Sequence, residues 1–237
     1  CIGLTSIRFA LSGEFHLAII AIIFAALIDG LDGRIARLIK GTSKVGKELD
    51  SLTDMISFGV APAFIMYFWK LNTFGRFGWL LCLVYVICVA LRLARFNISS
   101  NQEPSWKDNF FEGVPSPAGG ILVLTPLIIS LSGFDYIKIN YDIIVPVFFI
   151  ATSFLLISKF PTYSFKKIVI QRKATIFLLF TIVLFFGLLL IYTFNVIAIS
   201  SIIYLSLIPI SFFHYQKMKK IHENDKIQDE DDLEDVL

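Results

Sequence analysis

The sequence predicts an all-α, polytopic transmembrane bundle of about eight spans, the first of them truncated. Three observations carry that prediction. The 237 residues are 56% hydrophobic, with 24 Phe and a mean hydropathy of +0.75, against an apolar share of roughly 45–50% in soluble domains. The apolar residues gather into long runs without the alternation of a membrane β-barrel, so helices must satisfy the backbone in lipid. The Lys and Arg residues cluster in alternate connections between those runs, as the positive-inside bias of membrane proteins requires.

A span needs about 20 apolar residues. The remnant of a first span is expected at residues 1–12, where the chain starts in an apolar stretch at Cys1 with no basic segment ahead of it. That pattern reads as a cut span and not as a signal peptide. Further spans are expected at 15–39, 46–69, 76–96, 117–134, 142–160, 174–194 and 196–215. Residues 1–216 then form the transmembrane domain. Residues 217–237 form a charged tail, dominated at its end by Asp229, Glu230, Asp231, Asp232, Glu234 and Asp235, and are expected to be disordered. Cys1, Cys82 and Cys88 lie in apolar runs without CxxC spacing, so buried structural thiols are expected rather than disulfides or zinc ligands.

The connection between the second and third spans carries Arg34, Arg37, Lys40, Lys44 and Lys47. Arg92, Arg95 and Lys107 follow the fourth span, and Lys159, Lys166, Lys167, Arg172 and Lys173 follow the sixth. Lys217, Lys219 and Lys220 end the last. The opposite connections hold Lys70 and Arg76, then Lys138, and no basic residue around Asn195. The rich side is assigned to the cytoplasm.

Within this apolar chain, Asp29, Asp32, Asp50 and Asp54 fall inside 26 residues. Carboxylates at membrane depth are expensive and mark function or pairing. At helical spacing Asp29, Asp32, Gly33 and Ala36 share one face, and Gly46, Asp50 and Asp54 share a face of the next helix. A short connection makes these helices antiparallel neighbours, so the carboxylates can converge. Oxygen-only ligands suit hard divalent cations, Mg²⁺, Mn²⁺ or Ca²⁺, and two such ions would offset four negative charges. Gly33, Ala36 and Gly46 leave a groove beside the carboxylates wide enough for a diphosphate, with Arg34 and Arg37 placed to pair with phosphate oxygens. The competing structural reading pairs the aspartates with Arg34, Arg37 and Lys47. It supplies too little positive charge for four carboxylates on two facing helices.

The pattern Asp-x2-Asp-Gly-x2-Ala-Arg-x8-Gly-x3-Asp-x3-Asp, matched at Asp29, Asp32, Gly33, Ala36, Arg37, Gly46, Asp50 and Asp54, resembles the signature of the CDP-alcohol phosphotransferases. The runs at 3–10, 48–62, 91–97 and 113–119 are similar to those of the bacterial, membrane-embedded phosphatidylserine synthases, and the likeness covers about residues 3–125. The resemblance implies transfer of a phosphatidyl group from CDP-diacylglycerol to L-serine, giving phosphatidylserine and CMP. It implies two divalent cations, Mg²⁺ or Mn²⁺, held by Asp29, Asp32, Asp50 and Asp54, with Asp54 also the general base. Gly33, Ala36, Arg37 and Gly46 would accommodate the nucleotide diphosphate. It further implies a homodimer in the lipid bilayer of the bacterial inner membrane, with a cytoplasmic active site and no nucleic-acid partner.

Arg92 and Arg95 end the fourth span and read either as binders of the serine carboxylate or a lipid phosphate, through the planar guanidinium fork, or as interfacial anchors. The run Gly113-Val-Pro-Ser-Pro-Ala-Gly-Gly120 opens the fifth span, either as helix-start chemistry and close packing or as a loop lining the alcohol pocket. Gly59 and Ala63 form a small-xxx-small pair suited to a helix contact. His16, His214 and His222 lie outside any cluster. The acidic pattern leaves the acceptor open between serine and another alcohol: glycerol phosphate, inositol phosphate or choline. A divalent-cation transporter is the alternative of another class; against it, the cluster adjoins Arg residues and one membrane face.

Overall fold

The computed structural model describes residues 2–38, 44–99, 110–133, 140–158, 160–163 and 172–234, with the side chains of 33–38, 44, 99, 110–112, 163, 172–175, 217 and 219–234 outside that description. Cys1 and the loop residues Lys40, Lys107, Lys138, Lys159, Lys166 and Lys167 lie outside the described residues.

The chain begins with α1 (Ile2–Leu11) and α2 (Phe15–Leu38). Gly13 takes φ 78° between them and its N–H reaches the Ala10 carbonyl at 3.1 Å, the left-handed stop that glycine permits. Next come α3 (Lys44–Asp54), a π-helical turn (Met55–Val60) and α4 (Ala61–Trp69), which form one continuous apolar rod. A 3₁₀ turn (Leu71–Phe74) leads to α5 (Arg76–Ser99). The second half holds β1 (Phe110–Glu112), α6 (Ser116–Leu131), α7 (Tyr141–Ile157), β2 (Pro161–Tyr163), α8 (Arg172–Ile191) and α9 (Thr193–Glu234). Asn140 caps α7 by accepting the Asp142 N–H at 3.1 Å, satisfying an otherwise orphaned donor. Lys70 pairs with Asp142 at 2.9 Å and Trp69 meets Tyr141 edge-on at 5.5 Å, which ties the end of α4 to the start of α7.

Among the described residues four helical stretches are long and apolar enough to cross a membrane: Phe15–Asp32, Val45–Trp69, Arg76–Ile98 and Thr193–Gln216. Four shorter apolar helices accompany them: Ile2–Leu11, Ser116–Leu131, Tyr141–Ile157 and Ile176–Ile191. These are the eight expected segments. The molecule is a polytopic helical membrane protein.

The core forms where α1 packs on α2 and α4, α5 on α7, and α6 on α7 and α9. Phe58, Tyr85 and Phe149 are its largest fully buried side chains, with Tyr85 and Phe149 edge-to-face at 5.6 Å. Cys82 and Cys88 are buried free thiols, as expected. A Cβ on Gly59 would sit 3.2 Å from Val89 of α5, the close helix contact expected of its small-residue pair. The outside is apolar: Ile176, Phe177 and Leu190 of α8 are 75%, 78% and 81% exposed, a surface that suits hydrocarbon rather than water.

Two features depart from the expected outline. β1 and β2 pair antiparallel in the register Phe110↔Tyr163, Phe111↔Thr162, Glu112↔Pro161, because two connecting segments that meet at one end of the bundle satisfy each other's backbone groups. The chain also does not lose its helix at residue 217; α9 runs to Glu234. Pro209 is the last Pro or Gly of the chain, so no strong helix breaker follows it.

Candidate active site

Asp29 and Asp32 stand one turn apart on α2, and Asp50 and Asp54 one turn apart on α3. The two helices bring one carboxylate oxygen each of Asp29, Asp32 and Asp50 within 4.8 Å of one another. Asp29 is half-buried, and Asp32 and Asp50 are exposed. Asp54 is half-buried one turn further along α3, and its carboxyl reaches that of Asp29 at hydrogen-bonding distance. Close packing of carboxylates is unfavourable without a counter-charge, and the effect grows as water is excluded. The donor set is all oxygen, flexible and strongly anionic. It fits a hard divalent cation and excludes the sulfur and imidazole chemistry of zinc and copper sites.

α3 is held against α5 by a polar contact beside Asp50. Asn97 Nδ2 donates to Ser51 Oγ at 2.9 Å, and Lys47 Nζ donates to the Asn97 carbonyl at 3.4 Å.

Arg92 of α5 sits on the Asp54 side of the cluster. It is 9% exposed, so it is a buried cation and not the interfacial anchor that positive-inside patterning alone would place there. Its Nη1 donates to Ser116 Oγ at the start of α6, its guanidinium lies 5.9 Å from the Phe96 ring centroid, and its charge acts on Asp54. Its Nε has no partner among the described residues. A buried guanidinium with a free donor is costly unless a ligand completes it. Tyr204 of α9 faces the same region, beside Thr162 and within charge reach of Arg92.

The segment before α6 is shaped to present Ser116. Gly113 adopts φ 75°, and a Cβ there would lie 2.8 Å from the Ser158 carbonyl oxygen, so only glycine fits. Its N–H donates to the Phe160 carbonyl at 2.9 Å and its carbonyl accepts from Thr162 Oγ1 at 2.8 Å.

The structure thus gathers Asp29, Asp32, Asp50, Asp54 and Arg92. Arg95 is turned away, with Nη1 donating to the Ile157 carbonyl at 2.8 Å. Gly46 lies in the first turns of α3. Gly33, Ala36 and Arg37 belong to the last turns of α2, but their side chains, like that of Arg34, lie outside the described residues. Sequence reasoning missed Tyr204, Thr162 and the Ser51–Asn97 contact. Ser116 had a signal in the Pro/Gly run that contains it; Tyr204 had none, since a lone Tyr in an apolar span looks like lipid-facing or core packing.

The chain is similar to several known proteins. A protein of Mycobacterium leprae is 44% identical over 164 residues, covering 68% of this chain and 54% of its own length. One of Helicobacter pylori is 37% identical over 185 residues, covering 78% of this chain and 76% of its own length. One of Bacillus subtilis is 33% identical over 165 residues, covering 70% of this chain and 85% of its own length. All three are named CDP-diacylglycerol–serine O-phosphatidyltransferase. The chain spans about half the length of the mycobacterial relatives it matches. Residues 1–152, which carry all four aspartates and Arg92, match the sequence profile of the CDP-alcohol phosphatidyltransferases, and the chain belongs to that family.

Proposed function

We propose that this protein transfers the phosphatidyl group of CDP-diacylglycerol to L-serine, giving phosphatidylserine and CMP. The observation that carries the reading is the convergence of Asp29, Asp32 and Asp50 within 4.8 Å, on a chain whose relatives bear that activity in their names. Asp29, Asp32, Asp50 and Asp54 are the residues that would hold two divalent cations, Mg²⁺ or Mn²⁺. Bound there, the cations would neutralise the diphosphate and make CMP a better leaving group.

The chain's own residues supply the rest. Asp54 takes the proton of the serine hydroxyl; that oxygen forms the new bond to the phosphatidyl phosphorus as the bond to the CMP oxygen breaks. Arg92 uses its free Nε to hold the acceptor's carboxylate, with Ser116 fixing the guanidinium. Gly33, Ala36, Arg37 and Gly46 accommodate the nucleotide diphosphate. Arg95 serves at most a lipid phosphate near the end of α5, since its Nη1 is spent on a backbone carbonyl. The site opens to the cytoplasm, on the side of the Lys- and Arg-rich connections, and the protein works as a homodimer in the inner membrane. A cation-transport role has no support in the family to which the chain belongs.

The test is CMP release by the purified protein in detergent with CDP-diacylglycerol, Mn²⁺ and each candidate alcohol. Release is expected with serine and is abolished by a strong chelator. Release with glycerol phosphate, inositol phosphate or choline but not with serine would overturn the acceptor assignment.

A further inference from the structure

Asp54 leads directly into the π-helical turn, where the Ala61 N–H reaches back five residues to the Ile56 carbonyl. Pro62 has no N–H, so the Phe58 carbonyl lacks the donor that an α-helix would provide four residues on. The Tyr85 hydroxyl of α5, fully buried, donates to that carbonyl at 2.7 Å. The same turn is pressed from two other sides by glycines. A Cβ on Gly3 of α1 would lie 2.7 Å from Ser57 Cα, and one on Gly120 of α6 would lie 3.3 Å from Phe58 Cα.

A π-turn adds one residue to a helical turn. It therefore rotates α3 relative to α4 by about 100° compared with a continuous α-helix. On the α3 side stand Asp50 and Asp54, which must face α2. On the α4 side stand Ala61, Ile65 and Met66, which are buried in the core. The turn lets a single rod meet both demands, and the Tyr85 hydroxyl donates to the Phe58 carbonyl, which Pro62 cannot serve.

We propose that the Tyr85 hydroxyl is a positioning group for the aspartate site: by holding the Phe58 carbonyl it fixes the π-turn, and the π-turn sets the direction of the Asp54 carboxyl toward Asp29. The proposal rests on the reading of the aspartates as divalent-cation ligands.

Tyr85→Phe removes the hydroxyl and keeps the ring. Phe149→Leu trims the neighbouring ring, loosening the same packing without touching the hydrogen bond. Mn²⁺ binding to the full chain in detergent is monitored by loss of the free-ion EPR signal, alongside CMP release against Mn²⁺ concentration and amide hydrogen exchange over residues 54–62. In Tyr85→Phe, Mn²⁺ binding is expected to weaken about tenfold, the order seen for groups that orient a ligand, with faster exchange in the turn. In Phe149→Leu, binding stays at the wild-type value. Wild-type Mn²⁺ affinity in Tyr85→Phe, or equal weakening in both variants, overturns the proposal while leaving the cation reading intact. No Mn²⁺ binding by the wild-type protein overturns both.

Discussion

At the scale of single residues, the four aspartates are not equivalent. Asp32 and Asp50 are exposed, whereas Asp29 and Asp54 are half-buried and reach each other. Exposed carboxylates are free to ligate and exchange; a half-buried one beside a cation is better placed to hold a single orientation toward a reacting hydroxyl. Asp54 is also the one within charge reach of Arg92. Asp54→Asn keeps the shape and removes the proton acceptor. We expect turnover to fall by about 10²–10⁴-fold, the usual contribution of a positioned general base. Steady-state CMP release checks this, and full activity in the variant would remove Asp54 from the base role. Arg92 illustrates what patterning leaves open: a basic residue at the end of a span reads equally as a ligand-binding group or an anchor until its burial is known.

At the scale of elements, the site depends on how closely helices approach behind it. Gly3 and Gly59 are both small-residue contacts, yet they differ in what opposes them. A Cβ on Gly3 would meet the Ser57 backbone at 2.7 Å, which cannot yield without moving α1. A Cβ on Gly59 would meet a Val89 methyl at 3.2 Å, which can give by a few tenths of an ångström. Gly3→Ala is therefore expected to destabilise by about 1–3 kcal/mol, the range for overpacking a tight core. Gly59→Ala should cost clearly less. Thermal or denaturant melts of the two variants in one detergent check the order, and equal stabilities would contradict it. The spans and their approximate limits were legible in hydropathy, and the convergence of Asp29 and Asp32 with Asp50 was legible from helical phase. The β1–β2 pairing was not, because three-residue strands carry no periodic signal. The π-turn was not either: it depends on Pro62, Tyr85 and the glycines of two other helices acting together.

At the scale of the whole molecule, the proposed orientation rests on the asymmetry of Lys and Arg between alternate connections. Thr73, in the connection after α4, and Ile98, at the end of α5, are both exposed and lie on opposite sides of one span. With Cys82 and Cys88 buried and Cys1 replaced by Ser, single cysteines introduced at these two positions report on sidedness. In sealed right-side-out membrane vesicles an impermeant thiol reagent is expected to label Thr73→Cys and to spare Ile98→Cys until the vesicles are opened. The reverse pattern would invert the topology and put the aspartates on the outer side.

The sequence by itself determined the class of the protein, the number of its apolar segments and the acidic pattern of its site. Those properties are local: hydropathy over about 20 residues decides membrane insertion, and spacings of three and four residues decide which side chains share a helix face. Tertiary structure alone decided that Arg92 is buried against Ser116 while Arg95 turns to a carbonyl, that Tyr204 of α9 comes within charge reach of Arg92, and that Tyr85 donates to the π-turn that follows Asp54. Each of these depends on contacts between residues far apart in the chain, and no local pattern encodes them.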